Sequence, residues 1–150
     1  MSRLYRGYVL DERTIAMIEW AEKKAGFRFR ISQGSYNEGG VAASAGTHDG
    51  GGAVDFSVRL LLPNKRKRML NALKDAGFAA WFRKERKGVW TQHIHAIAIG
   101  CIDLAPLAKK QVKDYDNMLD GLAGRRVDLS YRPNPKVKFS LIKNQPMVRK

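Results

Sequence analysis

The chain has 150 residues, 44% of them apolar, and its 28 Lys+Arg against 14 Asp+Glu give a formal charge of +14. That length is too short for two full domains and suits one with an ordinary core, and the apolar content argues against wholesale disorder. The single cysteine, Cys101, excludes an internal disulfide and a cysteine-rich zinc site.

A pI near 10.2 predicts attraction to polyanions: nucleic acid, an anionic cell-wall polymer or a membrane surface. The opening MSRLYRGYVLDERT carries no long apolar run, and LLLPNKRKR is too short to span a membrane. Synthesis in a cytoplasm without a signal peptide is expected, with action there or after release.

ERTIAMIEWAEKKAG predicts the first helix, with Ile15 and Ile18 at helical spacing, Asp11 or Thr14 as its cap and Gly26 as its stop. FRFRIS, residues 27–32, alternates apolar and basic groups, as a strand with one wet face does. Residues 33–52 hold seven glycines and read as a loop, and so long a loop in a compact domain points to a site. AVDFSV at 53–58 predicts a strand. Pro63-Asn64 then open a helix over KRKRMLNALKDAG, with Met69, Leu70 and Leu73 toward a core, residues 65–68 in water and Gly77 as the stop. FAAWF and HIHAIAIG predict two more strands around the basic turn RKERKG. LAPLAKKQVKDYDNMLDGL predicts a further helix capped by Asp103. From about residue 124 the chain turns basic and carries three prolines, which fits an extended wrap over the domain or a loose tail. Helices mixed with separated strands predict an α+β domain.

The three histidines fall in suggestive places. His48 lies in the glycine loop, seven residues before Asp55. If Val54 and Phe56 face the core, Asp55 and Ser57 face the other side. His93 and His95 share one face of their strand, with Ile94 and Ala96 on the other. Four groups can thus converge where a catalytic zinc needs three protein ligands and an open position for water. The fourth is left to handle a proton or to steady developing negative charge. Zinc would lower the pKa of its water and polarise a carbonyl. Magnesium and calcium prefer oxygen ligands. The plainer reading makes His93 and His95 exposed strand residues and Asp55 a turn cap.

SAGTHDGGGAVD, residues 44–55, resembles the S-x-H-x-x-G-x-A-x-D signature of the zinc D-alanyl-D-alanine metallopeptidases, a group that includes phage endolysins and lysostaphin-like cell-wall hydrolases. The resemblance covers roughly residues 10–100, and the tail after 124 is similar to phage and actinobacterial proteins of this type. It implies a small antiparallel sheet with flanking helices, the D-Ala-D-Ala metallopeptidase fold, over 1–124, with 125–150 as a basic extension. It implies Zn²⁺ held by His48, Asp55 and His95, with His93 aiding catalysis, and hydrolysis of a peptide bond in a peptidoglycan stem or cross-bridge. The expected place of action is the cell wall, after release or within a phage particle. In members ending in H-x-D the first histidine is the ligand, which would exchange His93 and His95.

The chain also departs from that pattern. Position 92 is Gln where many members carry a catalytic glutamate, and SQGSYN stands where an arginine-bearing S-G-Y-R stretch is usual. These departures support a second reading, a basic binding or virion structural protein that keeps the fold without activity.

Gln33 and Tyr36, at the loop entrance, and Trp90, near the histidines, are candidate substrate contacts; the plainer readings are a polar turn for the first two and packing for the tryptophan. Glu38 is a spare base or a solvated turn residue. Trp81 and Trp90 flank the basic turn, Trp20 reads as a packing residue of the first helix, and Cys101 as a small buried hydrophobe. The clusters KRKR at 65–68, RKERK at 83–87 and Arg125-Arg126 read as solvated surface or as contacts to anionic wall polymers. They would attract nucleic acid too, though no helix-turn-helix, zinc-finger or RNA-recognition signature accompanies them.

Overall fold

The computed structural model describes residues 1–37 and 46–150. A hairpin opens the chain: β1 (Ser2–Tyr5) pairs with β2 (Tyr8–Asp11), Tyr5 opposite Tyr8. Arg6 and Gly7 between them have φ of 52° and 86°, as a two-residue type I′ turn requires. The Arg6 guanidinium bonds both Glu22 oxygens, at 2.6 and 2.7 Å, which ties the turn to the next helix.

That helix is α1 (Glu12–Ala25). Asp11 caps it, accepting from the Thr14 backbone N–H at 3.1 Å and from Thr14 Oγ1 at 2.6 Å. Gly26, at φ 86°, ends it by returning its N–H to Glu22 O. Ile15, Ile18, Ala21 and Ala25 bury one stripe of its surface.

β3 (Arg30–Gln33), β4 (Ala53–Ser57), β5 (Phe78–Arg83) and β6 (His93–Ala98) form an antiparallel sheet in the order β3-β4-β6-β5. Between β4 and β5 runs α2 (Pro63–Ala76), and α3 (Pro106–Asp116) follows β6. Alternation along the strands divides the sheet into two faces. Val54, Phe56, Phe78, Ala80, Ile94 and Ala96 turn toward α1 and α2 and join Ile15, Ile18, Met69 and Leu73 in the principal core. Each large side chain fully buried there is worth about 1.5–3 kcal/mol. The other face carries Trp81 and Ile97 into a smaller cluster with Ala108 and Tyr115 of α3. Asp55, His93 and His95 belong to this second face.

The tail is part of the body. β7 (Val137–Ser140) and β8 (Gln145–Val148) form a closing hairpin. Phe139, 1% exposed, sits in the principal core, and Arg149 bonds both oxygens of Asp116 at 2.7 and 3.1 Å. Small antiparallel sheets and three helices among the described residues make the fold α+β. Among those residues no helix is long and apolar enough to cross a membrane.

Three expected boundaries shift. β3 begins at Arg30 rather than 27, because Arg30 already pairs with Ser57, the last residue of β4. Phe29 is buried all the same, edge-on to Phe56 at 5.8 Å. α3 stops at Asp116, short of the predicted 122; Met118, at φ 60°, turns the chain away. Asp103 does not cap it. Ala105 occupies that position without a side-chain bond, and Pro106 starts the helix instead.

Candidate metal centre

The register of the sheet sets Gln33, Asp55, His95 and Trp81 side by side in one row across β3, β4, β6 and β5. The next row places Ser57, His93 and Arg83 together. Pairing at the correct offset thus delivers one carboxylate and two imidazoles to the same face.

His48 arrives from the glycine loop. The segment before the loop hydrogen-bonds the segment after it: Asn37 N–H donates to His48 O and Tyr36 N–H to Gly50 O, both at 2.8 Å. Gly52 N–H donates to Asp11 Oδ1 at 2.9 Å, so the cap of α1 also fixes the entry to β4. Glycine is required where this loop meets the backbone ahead of α3. A Cβ on Gly50 would lie 2.1 Å from Asp103 O and 2.8 Å from Ala105 N.

The convergence is tight. His48 Nε2 is 3.2 Å and His95 Nδ1 2.7 Å from Asp55 Oδ1, while His93 Nε2 is 3.7 Å from Asp55 Oδ2. The donor atoms of His48, Asp55 and His95 all lie within 4.8 Å of one another, a group that could hold a metal ion. His48 and His95 are buried.

The second nitrogen of each imidazole decides what the first can do. His48 Nδ1 is 2.8 Å from Gly34 O, and His95 Nε2 is 2.9 Å from Gln111 Oε1. Gln111 is itself oriented by donating Nε2–H to Gly121 O at 3.0 Å. A carbonyl oxygen only accepts, so each of these ring nitrogens carries its hydrogen. The other nitrogen, facing Asp55, is then a bare lone pair against a carboxylate unless a cation lies between. A second proton would meet that demand by burying an imidazolium; a metal ion would meet it with the histidines neutral. An outer hydrogen bond that fixes the tautomer is the support that metal-binding histidines have. The residues therefore fit a metal ion of the kind bound by nitrogen and oxygen.

The two histidines differ in their electrostatics. Burial opposes ionisation of Asp55, but the His48 and His95 imidazoles against it hold its carboxyl far below the usual range. Burial also works against charge on His48, yet its bond to Asp55 raises its pKa overall. At His95 burial wins, and the pKa falls despite Asp55. A proton is thus disfavoured on His95 beside an anionic Asp55, while the same carboxylate favours one on His48.

His93 stands at the edge of this group. Its Nδ1 donates to Thr91 O at 2.8 Å, which leaves Nε2 as the acceptor facing the cleft. Trp90 meets its ring edge-on at 5.8 Å. The cleft, about 120 Å³, is lined by Gln33 and Trp90 together with His48, Asp55, His93 and His95. Tyr36 does not line it; its hydroxyl donates to Asp103 Oδ2 at 3.0 Å. Glu38 and Ser44 lie outside the described residues.

Two residues that line the cleft, Gln111 and Arg83, and one packed behind it, Trp81, escaped the sequence reading as parts of the site. Gln111 orients His95, and it stands on the buried stripe Ala108-Gln111-Tyr115 of α3, where a polar side chain is a signal in itself. Trp81 stacks on the His95 ring at 14° with centroids 6.1 Å apart, and its Nε1–H donates to Leu119 O. Arg83 is buried beside His93 and donates to Asp120 O at 2.5 Å; burial pushes its pKa down to about 10. Its place on the Trp81 face of β5 follows from simple alternation.

Comparison of the chain with protein-family models, with curated proteins and with solved structures finds no match.

Proposed function

We propose that the chain is a zinc-dependent peptidase acting on bacterial cell-wall peptides, built on the D-Ala-D-Ala metallopeptidase fold. One observation carries the reading: His48 Nε2, Asp55 Oδ1 and His95 Nδ1 converge while the other nitrogen of each imidazole is committed to a carbonyl oxygen. Two nitrogens and one carboxylate oxygen suit catalytic zinc, whereas magnesium and calcium favour all-oxygen sites. Bound there, zinc supplies a Lewis acid for a peptide carbonyl and lowers the pKa of water.

His95 is assigned as ligand rather than His93, because it is His95 whose Nδ1 meets Asp55 Oδ1 at 2.7 Å. His93 is the catalytic residue. With Nδ1 tied to Thr91 O, its Nε2 takes up a proton from the reacting water side of the cleft and returns it to the leaving amine. Gln33 and Trp90 wall the substrate's path. The basic surface draws the enzyme to anionic wall polymers, and it works at the wall after release or within a phage particle.

Zinc measured on the purified protein and turnover of purified cell wall test this together. His95→Ala should lose zinc and activity. His93→Ala should keep zinc and lose about 10²–10⁴-fold in rate. His48→Ala should stay folded without zinc or lysis. A second reading, an inactive wall- or virion-binding protein, draws on the cleft's chemistry: among the described lining residues Asp55 is the one carboxylate, and it serves as a ligand. Stoichiometric zinc with an intact wall would select that reading, and a metal-free native protein would remove the first.

A further inference from the structure

A separate cavity of about 190 Å³ lies between the body and the C-terminal tail, and none of its lining residues lines the histidine cleft. Phe78, Ile99 and Val137 give it an apolar wall. A cavity of roughly 150 Å³ accommodates benzene, so this one has room for a compact apolar body.

The polar groups around that wall are unbalanced. Lys74, Arg132, Lys136 and Arg149 line it, against the single carboxylate of Asp116. Both oxygens of Asp116 are already taken by Arg149, at 2.7 and 3.1 Å. Asp128, outside the lining, bonds Arg132 Nη2 at 3.1 Å. The Lys74 ammonium is buried and donates to Ser130 Oγ and Tyr131 O, both at 2.9 Å, which leaves its third hydrogen over. Three further donors are buried with no partner: Tyr115 Oη, Arg132 Nε and Arg149 Nε. Tyr115 is only 4% exposed, and the Arg132 guanidinium lies over its ring at 4.0 Å. A buried donor left unpaired costs about 1–3 kcal/mol, so a site that gathers several is short of an acceptor. Cations beside an apolar wall, with unpaired donors and no free carboxylate, call for an anion with an apolar body. Asn134 and Lys136 are exposed, so the cavity meets solvent under the stretch that precedes β7.

We propose that this cavity binds a small organic carboxylate, its apolar body against Phe78, Ile99 and Val137 and its carboxylate accepting from Tyr115 Oη and the cations around it. This site is independent of the metal centre and of the peptidase reading.

The test is an amide NMR titration of the full chain with benzoate, and with benzamide as the uncharged counterpart of the same shape. Benzoate should give saturable shifts concentrated at Phe78, Ile99, Tyr115 and Val137, with a Kd of about 1 mM or tighter. Benzamide should bind at least about tenfold more weakly, since hydrogen bonds to a charged acceptor are the stronger ones. Tyr115→Phe, which keeps the ring, should weaken benzoate several-fold. Lys136→Met, a change at an exposed position, should weaken it too should Tyr115→Phe prove unfolded. Shifts that do not saturate, shifts spread over the basic face of α2, or equal binding of benzoate and benzamide would each overturn the proposal.

Discussion

Gln111 shows how far one side chain governs the centre. It holds the Nε2–H of His95, and that hydrogen bond fixes which nitrogen is left to face Asp55. Gln111→Leu keeps the bulk but loses the acceptor. Loss of such an outer partner typically costs 10–100-fold in metal affinity. Competition with a chelator of known affinity should show a zinc Kd raised by about that factor, with the circular dichroism of the native fold unchanged; an unaltered Kd would mean the tautomer is fixed some other way. Lys74 makes a different residue-scale case. Burial first, and Arg132 second, push its pKa from 10.5 down to about 8. Below pH 8 the amine is protonated in both folded and unfolded chains, and the folded state bears the full cost of the buried charge. Between 8 and 10.5 the unfolded chain holds the proton more tightly, so stability rises with pH. The whole shift corresponds to about 3 kcal/mol. Urea midpoints compared between the native chain and Lys74→Met should therefore converge in favour of the native chain as pH rises from 7 to 10. A flat difference would contradict the shift.

At the scale of elements, the glycine run before β4 is as decisive as the strands. Gly50 stands against the backbone at 103–105, where a Cβ would meet Asp103 O at 2.1 Å. Gly50→Ala must push apart two backbones, one carrying His48 and the other leading into α3 with Gln111. It should cost about 2 kcal/mol or more and several degrees of Tm, with weaker zinc binding besides. Gly124→Ala, where a Cβ meets nothing within 4 Å, should change neither. Equal melting temperatures for the two variants would show that the loop yields without cost. The same elements mark what the sequence discloses. Alternation in AVDFSV and HIHAIA places Asp55, His93 and His95 on one face, because a strand's period of two is rigid. The caps Asp11 and Gly26 are legible for the same reason, being local chemistry. The opening hairpin was not, since Arg6 is an uncommon residue for a left-handed turn and its support is Glu22, sixteen residues on. Nor could the row from Gln33 to Trp81 be read in advance, because register is a property of pairs of strands and not of either alone.

For the whole molecule, the issue is what the last residues do for the rest. The tail from about 125 is basic and proline-containing, features that composition alone assigns equally well to a loose extension. Its burial decides otherwise. Phe139 is 1% exposed within the principal core, and its carbonyl accepts from the Arg13 guanidinium on α1. Arg149 clamps the far end of the hairpin to the last turn of α3. The first helix, the third helix and the chain terminus are thereby linked through one short hairpin, and the cavity beside Tyr115 exists only while that hairpin is docked. Phe139→Ala should then behave as a core truncation, lowering unfolding free energy by about 3–5 kcal/mol. Ile142, 98% exposed in the same hairpin's turn, is the natural comparison, and Ile142→Ala should shift stability by no more than about 0.5 kcal/mol. Chemical denaturation of the two variants separates an integral tail from an appended one. If Phe139→Ala costs no more than Ile142→Ala, the tail is an appendage, and the core of the first 124 residues closes without it.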